Sequence, residues 1–194
     1  MDIWNKCVLK YKNWKFRHAT PLERGELLHR NYMPGNYKVG SGCEFLTTSV
    51  PFGSEPYLIE IGNNVRITAG VKFCTHDGGM WVLRHNGMLE NADFFGRIKV
   101  EDNVHIGWNT IIMPGVTIGH DSVIGVGGVV TKSIPPRSIA VGVPAKVIRS
   151  IDDYYEKYKD KVDFVKKFSE KDKERYLCKK YNLEVKEEMN SGKK

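Results

Sequence analysis

A period of six limits what this chain can fold into more than any other feature. Written in sixes from Val100, it reads VEDNVH, IGWNTI, IMPGVT, IGHDSV, IGVGGV, VTKSIP. The first column is Val100, Ile106, Ile112, Ile118, Ile124 and Val130, all β-branched aliphatics. The fifth is Val104, Thr110, Val116, Ser122, Gly128 and Ile134, mostly small or branched. A shorter block, IGNNVR, ITAGVK, FCTHDG, puts Ile61, Ile67 and Phe73 in the first column, and weaker sixes start at Val39 and Phe45. A helix repeats every 3.6 residues and a strand every two. Six is neither, but it suits a short strand followed by a turn. The fifth residue of one hexad and the first of the next lie two apart, on one strand face. Glycine, Asn and Asp between them supply the bend. A lone hexad buries nothing, whereas stacked turns of a coil make their aliphatics into a continuous core. The expectation is an all-β solenoid over 37–149, between an N-terminal helical segment 1–36 and a C-terminal helical extension 150–194.

The repeat resembles that of the hexapeptide-repeat acyltransferases, and the likeness runs from about Val39 to Arg149. The closing stretch Ala140–Ile148, AVGVPAKVI, is similar to the way that family leaves its coil. The resemblance implies a left-handed parallel β-helix with three hexads per triangular coil. Its left hand comes from the resemblance alone, since general crossover rules favour the right.

Charge and cysteine usage narrow the function. The 194-residue chain carries a formal net charge of +7 with no block of like charge, which argues against a nucleic-acid arm and suits anionic small molecules. No run of 18 apolar residues and no signal-type apolar stretch in 1–30 is present, so neither a membrane span nor export is expected. Cys7, Cys43, Cys74 and Cys178 are scattered without paired spacing, which points to a cytoplasmic chain rather than a disulfide framework or zinc knuckle.

The flanks read as helices. Ile3, Trp4, Cys7, Val8 and Tyr11 sit at helical spacing in 2–17, and their stripe is expected to cover the end of the coil. A basic helix of this kind lying on a membrane surface is the other reading. Thr20, Pro21 and Glu23 make a capping-box start for a helix near 21–30. Ser150 with Asp153 opens a third helix, with an apolar stripe from Ile151 to Phe168, and Ser169 with Asp172 opens a fourth. Frayed chain is expected at 187–194.

Chemistry is expected where the repeat breaks. Between the two blocks lies Asp77–Arg97, 21 residues with no sixfold pattern. A long irregular insertion in a regular solenoid is more often functional than accidental. His76 stands at its start; from the residues alone, a surface histidine beside a turn and a catalytic one are both open. The family's sugar and xenobiotic O-acetyltransferases carry their catalytic histidine at this place. Imidazole titrates near neutrality, so it can take the proton of a sugar hydroxyl as the new C–O bond forms. Asp77, Glu90 or Asp93 could orient the ring. Asp77, Trp81, Arg84 and His85 are the candidate acceptor-binding residues.

The donor implied is acetyl-CoA, a long polyanion. The tract Gly125–Val126–Gly127–Gly128 leaves room for its thin pantetheine arm. By resemblance Gly127, Gly128, Thr131 and Lys132 line the cofactor, Lys146 and Arg149 meet its phosphates, and Pro144 lies beside the adenine end. Trp108 stands where the family often has a small residue, and is read as an aromatic wall on the pocket. His105 and His120 fall 15 apart in turn columns and lack the spacing of the gamma-type carbonic anhydrases, so no metal is expected.

Together with these features, the resemblance implies an acetyl-CoA-dependent O-acetyltransferase acting on a capsular or surface-polysaccharide precursor, as a homotrimer with active sites between chains. The alternatives are a xenobiotic acceptor, N-acetylation of an amino sugar, and, from other classes, a metal lyase or a non-catalytic scaffold.

Overall fold

The structure is a computed structural model that describes residues 3–184. Two helices come first, α1 (Ile3–His18) and α2 (Pro21–His29). Eleven short strands follow: β1 (Lys38–Val39), β2 (Glu44–Phe45), β3 (Ile59–Ile61), β4 (Arg66–Ile67), β5 (Lys72–Phe73), β6 (Ile98–Val100), β7 (His105–Ile106), β8 (Ile111–Ile112), β9 (Thr117–Ile118), β10 (Val123–Ile124) and β11 (Val129–Val130). The helix α3 (Met80–His85) lies between β5 and β6. A hairpin of β12 (Ser138–Val141) and β13 (Lys146–Ser150) closes the strands, and α4 (Ile151–Tyr158) and α5 (Glu170–Tyr181) end the described chain.

The strands belong to three sheets that the chain visits in turn, parallel throughout except for the antiparallel pair of β12 and β13. The first is β1-β3-β6-β9, the second β2-β4-β7-β10-β12-β13 and the third β5-β8-β11. Their registers are those of a coil: Lys99 opposite Thr117, His105 opposite Val123, Ile111 opposite Val129. Corresponding residues of the regular coils are 18 apart, as in the Asn103–Asp121 pair, or 39 apart where the 21-residue loop intervenes, as in the Asn63–Asp102 pair, and those of the first coil are 22 apart, as Lys38 and Glu60 are. One residue of each two-residue strand points inward, and these are the first-column aliphatics. Ile67, Ile98, Val100, Ile106, Ile112, Ile118, Ile124 and Val130 are fully buried, each worth roughly 1.5–3 kcal/mol of apolar transfer. The fifth column turns the corner. Thr110 is buried there and its hydroxyl donates to the Gly107 carbonyl at 2.7 Å.

The first coil departs from the rule. After β2 the chain does not make a strand of the third sheet but runs through an irregular segment, 46–58, that ends in a 3-10 turn at Pro56–Leu58. Phe52 from this segment fills the missing place, packing edge-on against Phe45 and Phe73 at 6.1 and 5.7 Å.

The coil end is covered by α2, and the expectation for α1 is corrected. Leu28 of α2 is buried, and Gly25 lies so close to the coil that an added Cβ would stand 1.8 Å from the Cys43 carbonyl oxygen. The capping box is present, with Thr20 N donating to Glu23 at 2.7 Å. By contrast Trp4, Val8 and Tyr11 of α1 are exposed, and the inner side of that helix is Phe16, buried, and Leu9. The buried guanidinium of Arg24 ties these parts together, donating to the carbonyls of Phe16 (3.0 Å), Arg17 (2.9 Å) and Phe45 (3.1 Å). Two of these are carbonyls at the C-terminal end of α1, where a cation is favoured.

The third predicted helix is also corrected. It stops at Tyr158 rather than continuing to Phe168. Two compact units meet in the sequence here, Met1–Glu156 and Lys157–Lys194. In the second, Asp163 accepts from Tyr176 and Lys180, each at 2.6 Å, so a residue within the expected span of that helix instead tethers α5. Ser169 caps α5, accepting from Asp172 N at 3.2 Å. The frayed tail expected at 187–194 lies outside the described residues.

Candidate active site

Two interruptions of the coil meet at one edge of the third sheet. The loop 77–97 leaves after β5 and returns to β6. Its neck is pinned by an antiparallel bridge between His76 and Phe95 and by Gly96 N donating to the Thr75 carbonyl at 2.8 Å. The irregular segment 46–58 delivers Glu55 to the same place. His76 Nδ1 lies 2.9 Å from Glu55 Oε2, and the Thr75 hydroxyl donates to that same oxygen at 2.6 Å. Glu55 is 14% exposed and His76 48% exposed at the side chain. The Thr75, His76 and Ser54 hydrogen bonds hold the Glu55 carboxyl down to about 2. Glu55 is therefore an acceptor at neutral pH, which assigns a proton to Nδ1 of His76, so that the neutral form of the ring carries its lone pair on Nε2. Val50, Pro51, Ser54, Lys72 and Cys74 join His76 around a cleft of about 420 Å³. A larger groove, about 730 Å³, runs along the first sheet beside Lys38, Glu60, Lys99 and His120 and does not include His76. Size therefore does not locate the chemistry here; the histidine–carboxylate pair does.

None of the three carboxylates expected to orient His76 does so. Asp77 accepts from Gly79 N at 2.8 Å, Asp93 is paired with Arg84, and the orienting group is Glu55. Sequence reasoning missed Glu55 because it lies 21 residues upstream and outside the hexads. The usable signal was that Glu55 is the one carboxylate in the irregular stretch 46–58.

The loop residues sort into two kinds. Asp77 and Arg84 brace the loop itself, Arg84 also donating to the Ala92 carbonyl at 2.5 Å. Trp81 and His85, one turn apart on α3, stack at 3.9 Å, and His85 Nδ1 lies 2.8 Å from the Trp81 carbonyl. Trp81 is more than half exposed.

The predicted donor residues fall on both edges of the third sheet. Thr131 and Lys132 follow β11 on the edge that holds His76, since Phe73, Ile112 and Val130 share one register. Trp108, Gly127 and Gly128 lie on the opposite edge. Gly127 sits at φ +67°, with no heavy atom within 4 Å of an added Cβ, and its N–H donates to the Trp108 carbonyl at 2.7 Å in the coil before. Pro144, Lys146 and Arg149 belong to the hairpin of β12 and β13, which joins this second edge through Ala145 N to the Val129 carbonyl at 2.8 Å. Within one chain, then, His76 and the Trp108–Gly127 wall are kept apart by the width of a sheet. His105 lies on the outer face of the second sheet, and His120 pairs with Asp121 at 2.8 Å. Among the described residues no cluster of three or more His, Cys, Asp or Glu is placed to hold a metal.

Residues 97–132 match the hexapeptide repeat of succinyl-transferase. The chain is 50% identical over 145 residues to protein CapG of Staphylococcus aureus, covering 74% of this chain and 83% of that protein. It is 40% identical over 111 residues to galactoside O-acetyltransferase of Escherichia coli, covering 54% of this chain and 53% of that one. The chain belongs to the hexapeptide-repeat acetyltransferase family. Its fold is also similar to that of a hexapeptide-repeat-containing acetyltransferase from Vibrio cholerae, with a TM-score of 0.52 at 20% identity over 77% of this chain and 94% of that one. In this acetyltransferase the repeat named by the family profile is the regular part of the coil, β6 to β11. His76 and Glu55 both lie before it.

Proposed function

We propose that the enzyme moves the acetyl group of acetyl-CoA to a sugar hydroxyl by direct attack, with His76 as general base. The observation that carries this is the His76–Glu55 pair at the neck of the irregular loop, with Nε2 left free to accept. As the acceptor oxygen bonds to the thioester carbon, its proton passes to Nε2 and the carbonyl electrons move to oxygen, an oxyanion that a backbone N–H is suited to hold. Collapse re-forms the carbonyl and expels the CoA sulfur, which takes the proton back from the imidazolium. Glu55 stays ionised and fixes the ring, as the carboxylate does in other histidine dyads. The Trp81–His85 stack offers a flat apolar face for a pyranose ring. The likeness to CapG favours a capsular or surface-polysaccharide precursor as acceptor.

The opposite-edge placement of His76 and the Trp108–Gly127 wall supports a homotrimer in which the His76 edge of one chain faces the donor wall of the next. Lys132, Lys146 and Arg149 would then meet the CoA phosphates. The left-handed sense of the coil and a cytoplasmic setting, where acetyl-CoA is made, belong to the same reading. The test is a panel of sugars and xenobiotics with acetyl-CoA, following free thiol. Acceptor-dependent thiol release by the wild type and not by His76→Ala supports it; release that ignores acceptor, or survives the substitution, overturns it. Mixing an inactive His76→Ala chain with an inactive donor-site chain restores activity if sites are shared.

A further inference from the structure

The helix α1 has a side that the coil does not use. Phe16 is its buried anchor, with Leu9 beside it. At about 100° per residue, Trp14, Tyr11, Trp4 and Val8 fall within one outward arc of roughly 120°. They are 57, 59, 72 and 36% exposed respectively. The aromatic row is ordered: Tyr11 and Trp14 stack at 6.3 Å, and Trp14 lies 4.7 Å from the His18 ring.

Charge surrounds this arc on both sides. The segment Ile3–His18 carries Lys6, Lys10, Lys12, Lys15 and Arg17 and no carboxylate. Lys6, Lys10 and Arg17 line one flank, and among the described residues none of them has a carboxylate partner. Lys12 lies on the other flank and Lys15 within the arc beside Val8, their ammonium groups 4.9 and 5.1 Å from the Tyr32 ring centre.

We infer that the outward face of α1 docks on an anionic lipid bilayer. Trp and Tyr rings are amphipathic and settle at the depth of lipid headgroups. A helix with such an apolar side and Lys/Arg along its flanks lies in the interfacial plane, and its cations meet anionic headgroups there. A second copy of the chain is the poorer occupant. It would set one helix with five cations and no carboxylate of its own against another, in a chain already at +7. A bilayer supplies both the apolar depth and the opposite charge.

The experiment is co-sedimentation of the full chain with phosphatidylcholine vesicles, with and without phosphatidylglycerol, at low and physiological salt. The wild type pellets with the phosphatidylglycerol vesicles and is released by salt. Tyr11→Ser/Trp14→Ser and Lys6→Gln/Lys10→Gln each lose binding while keeping the wild-type melting temperature, the second pair by about fivefold per cation removed. No pelleting on anionic vesicles overturns the proposal, as does equal pelleting of wild type and both variants. It also falls if vesicles are ignored and Tyr11→Ser/Trp14→Ser lowers the mass in light scattering, because the face then meets another copy. An acidic protein as partner would show as salt-sensitive capture without vesicle binding, and equally overturns it.

Discussion

The coil from β6 to β11 and the two segments that interrupt it, 46–58 and 77–97, solve different problems. In the coil every inward side chain stacks on an equivalent one 18 residues away, so each position is specified by its neighbours above and below. Ile106 and Ile124 face each other in register, as do Val100 and Ile118. The interruptions have no such ladder. Each is held by a few particular bonds: Phe52 in the gap of the third sheet, the His76–Phe95 bridge, Arg84 with Asp93. The regular part supplies a rigid edge, and the irregular parts bring to it the histidine and the carboxylate. A catalytic pair needs a fixed spacing, and a rigid edge with two pinned segments provides one without asking the repeat to carry polar groups.

Six substitutions test that division, beginning with the largest effect. His76→Ala lowers kcat by about 10²–10⁴-fold, while KM for acetyl-CoA and the melting temperature stay near wild type; steady-state kinetics that leave kcat within a few-fold would take His76 out of the chemistry. Ile118→Ala does the reverse. It opens a cavity in a fully buried ladder and costs about 2–5 kcal/mol in urea unfolding; a cost as small as that of an exposed loop residue would mean that the ladder is not the stabilising element.

Glu55→Gln sits between the two regions. With the carboxylate gone the His76 tautomer is no longer set, and kcat falls by about 10- to 10²-fold, less than the loss of the base itself. Its pH behaviour follows from the depressed Glu55 carboxyl. A carboxyl at about 2 in the folded chain, below its unfolded value, contributes stability that is complete above the unfolded value. That contribution is lost as pH falls towards about 2. Wild type minus Glu55→Gln stability should therefore shrink as pH falls from roughly 4.5 towards about 2. A difference that failed to shrink between roughly pH 4.5 and about 2 would contradict a depressed Glu55 carboxyl. The smallest effects come from Lys132→Ala, Lys146→Ala and Arg149→Ala. Each raises KM for acetyl-CoA by about 1–2 kcal/mol, more so at low salt, with KM for the acceptor little changed. Equal shifts for both substrates would make these cations plain surface charge.

Much of this was legible before any coordinates. The first-column residues named the inward side chains of β3 to β11 because a period of six admits few other buried arrangements. Thr20 with Glu23 announced the start of α2. His76 stood out because it sits where the pattern stops. Glu55 did not, since nothing in a one-dimensional pattern relates it to His76. The third helix was overextended because an apolar stripe at helical spacing does not reveal that Asp163 has Tyr176 and Lys180 to bind.

The two N-terminal helices show most directly what sequence determines and what it leaves to packing. Spacing and capping determined that both would be helical, since those depend on neighbours within one turn. Which of them covers the coil was decided by fit. The small Gly25 lets α2 approach the Cys43 backbone, and the Arg24 guanidinium binds three carbonyls that only the folded chain brings together. The stripe on α1 is as apolar in sequence, but burying it on the coil end would need that same space. In the same way the sequence determined the repeat and the residue at its break. Only the tertiary structure could place a carboxylate from one interruption against the histidine of the other, because that hydrogen bond depends on distances across the coil rather than along the chain.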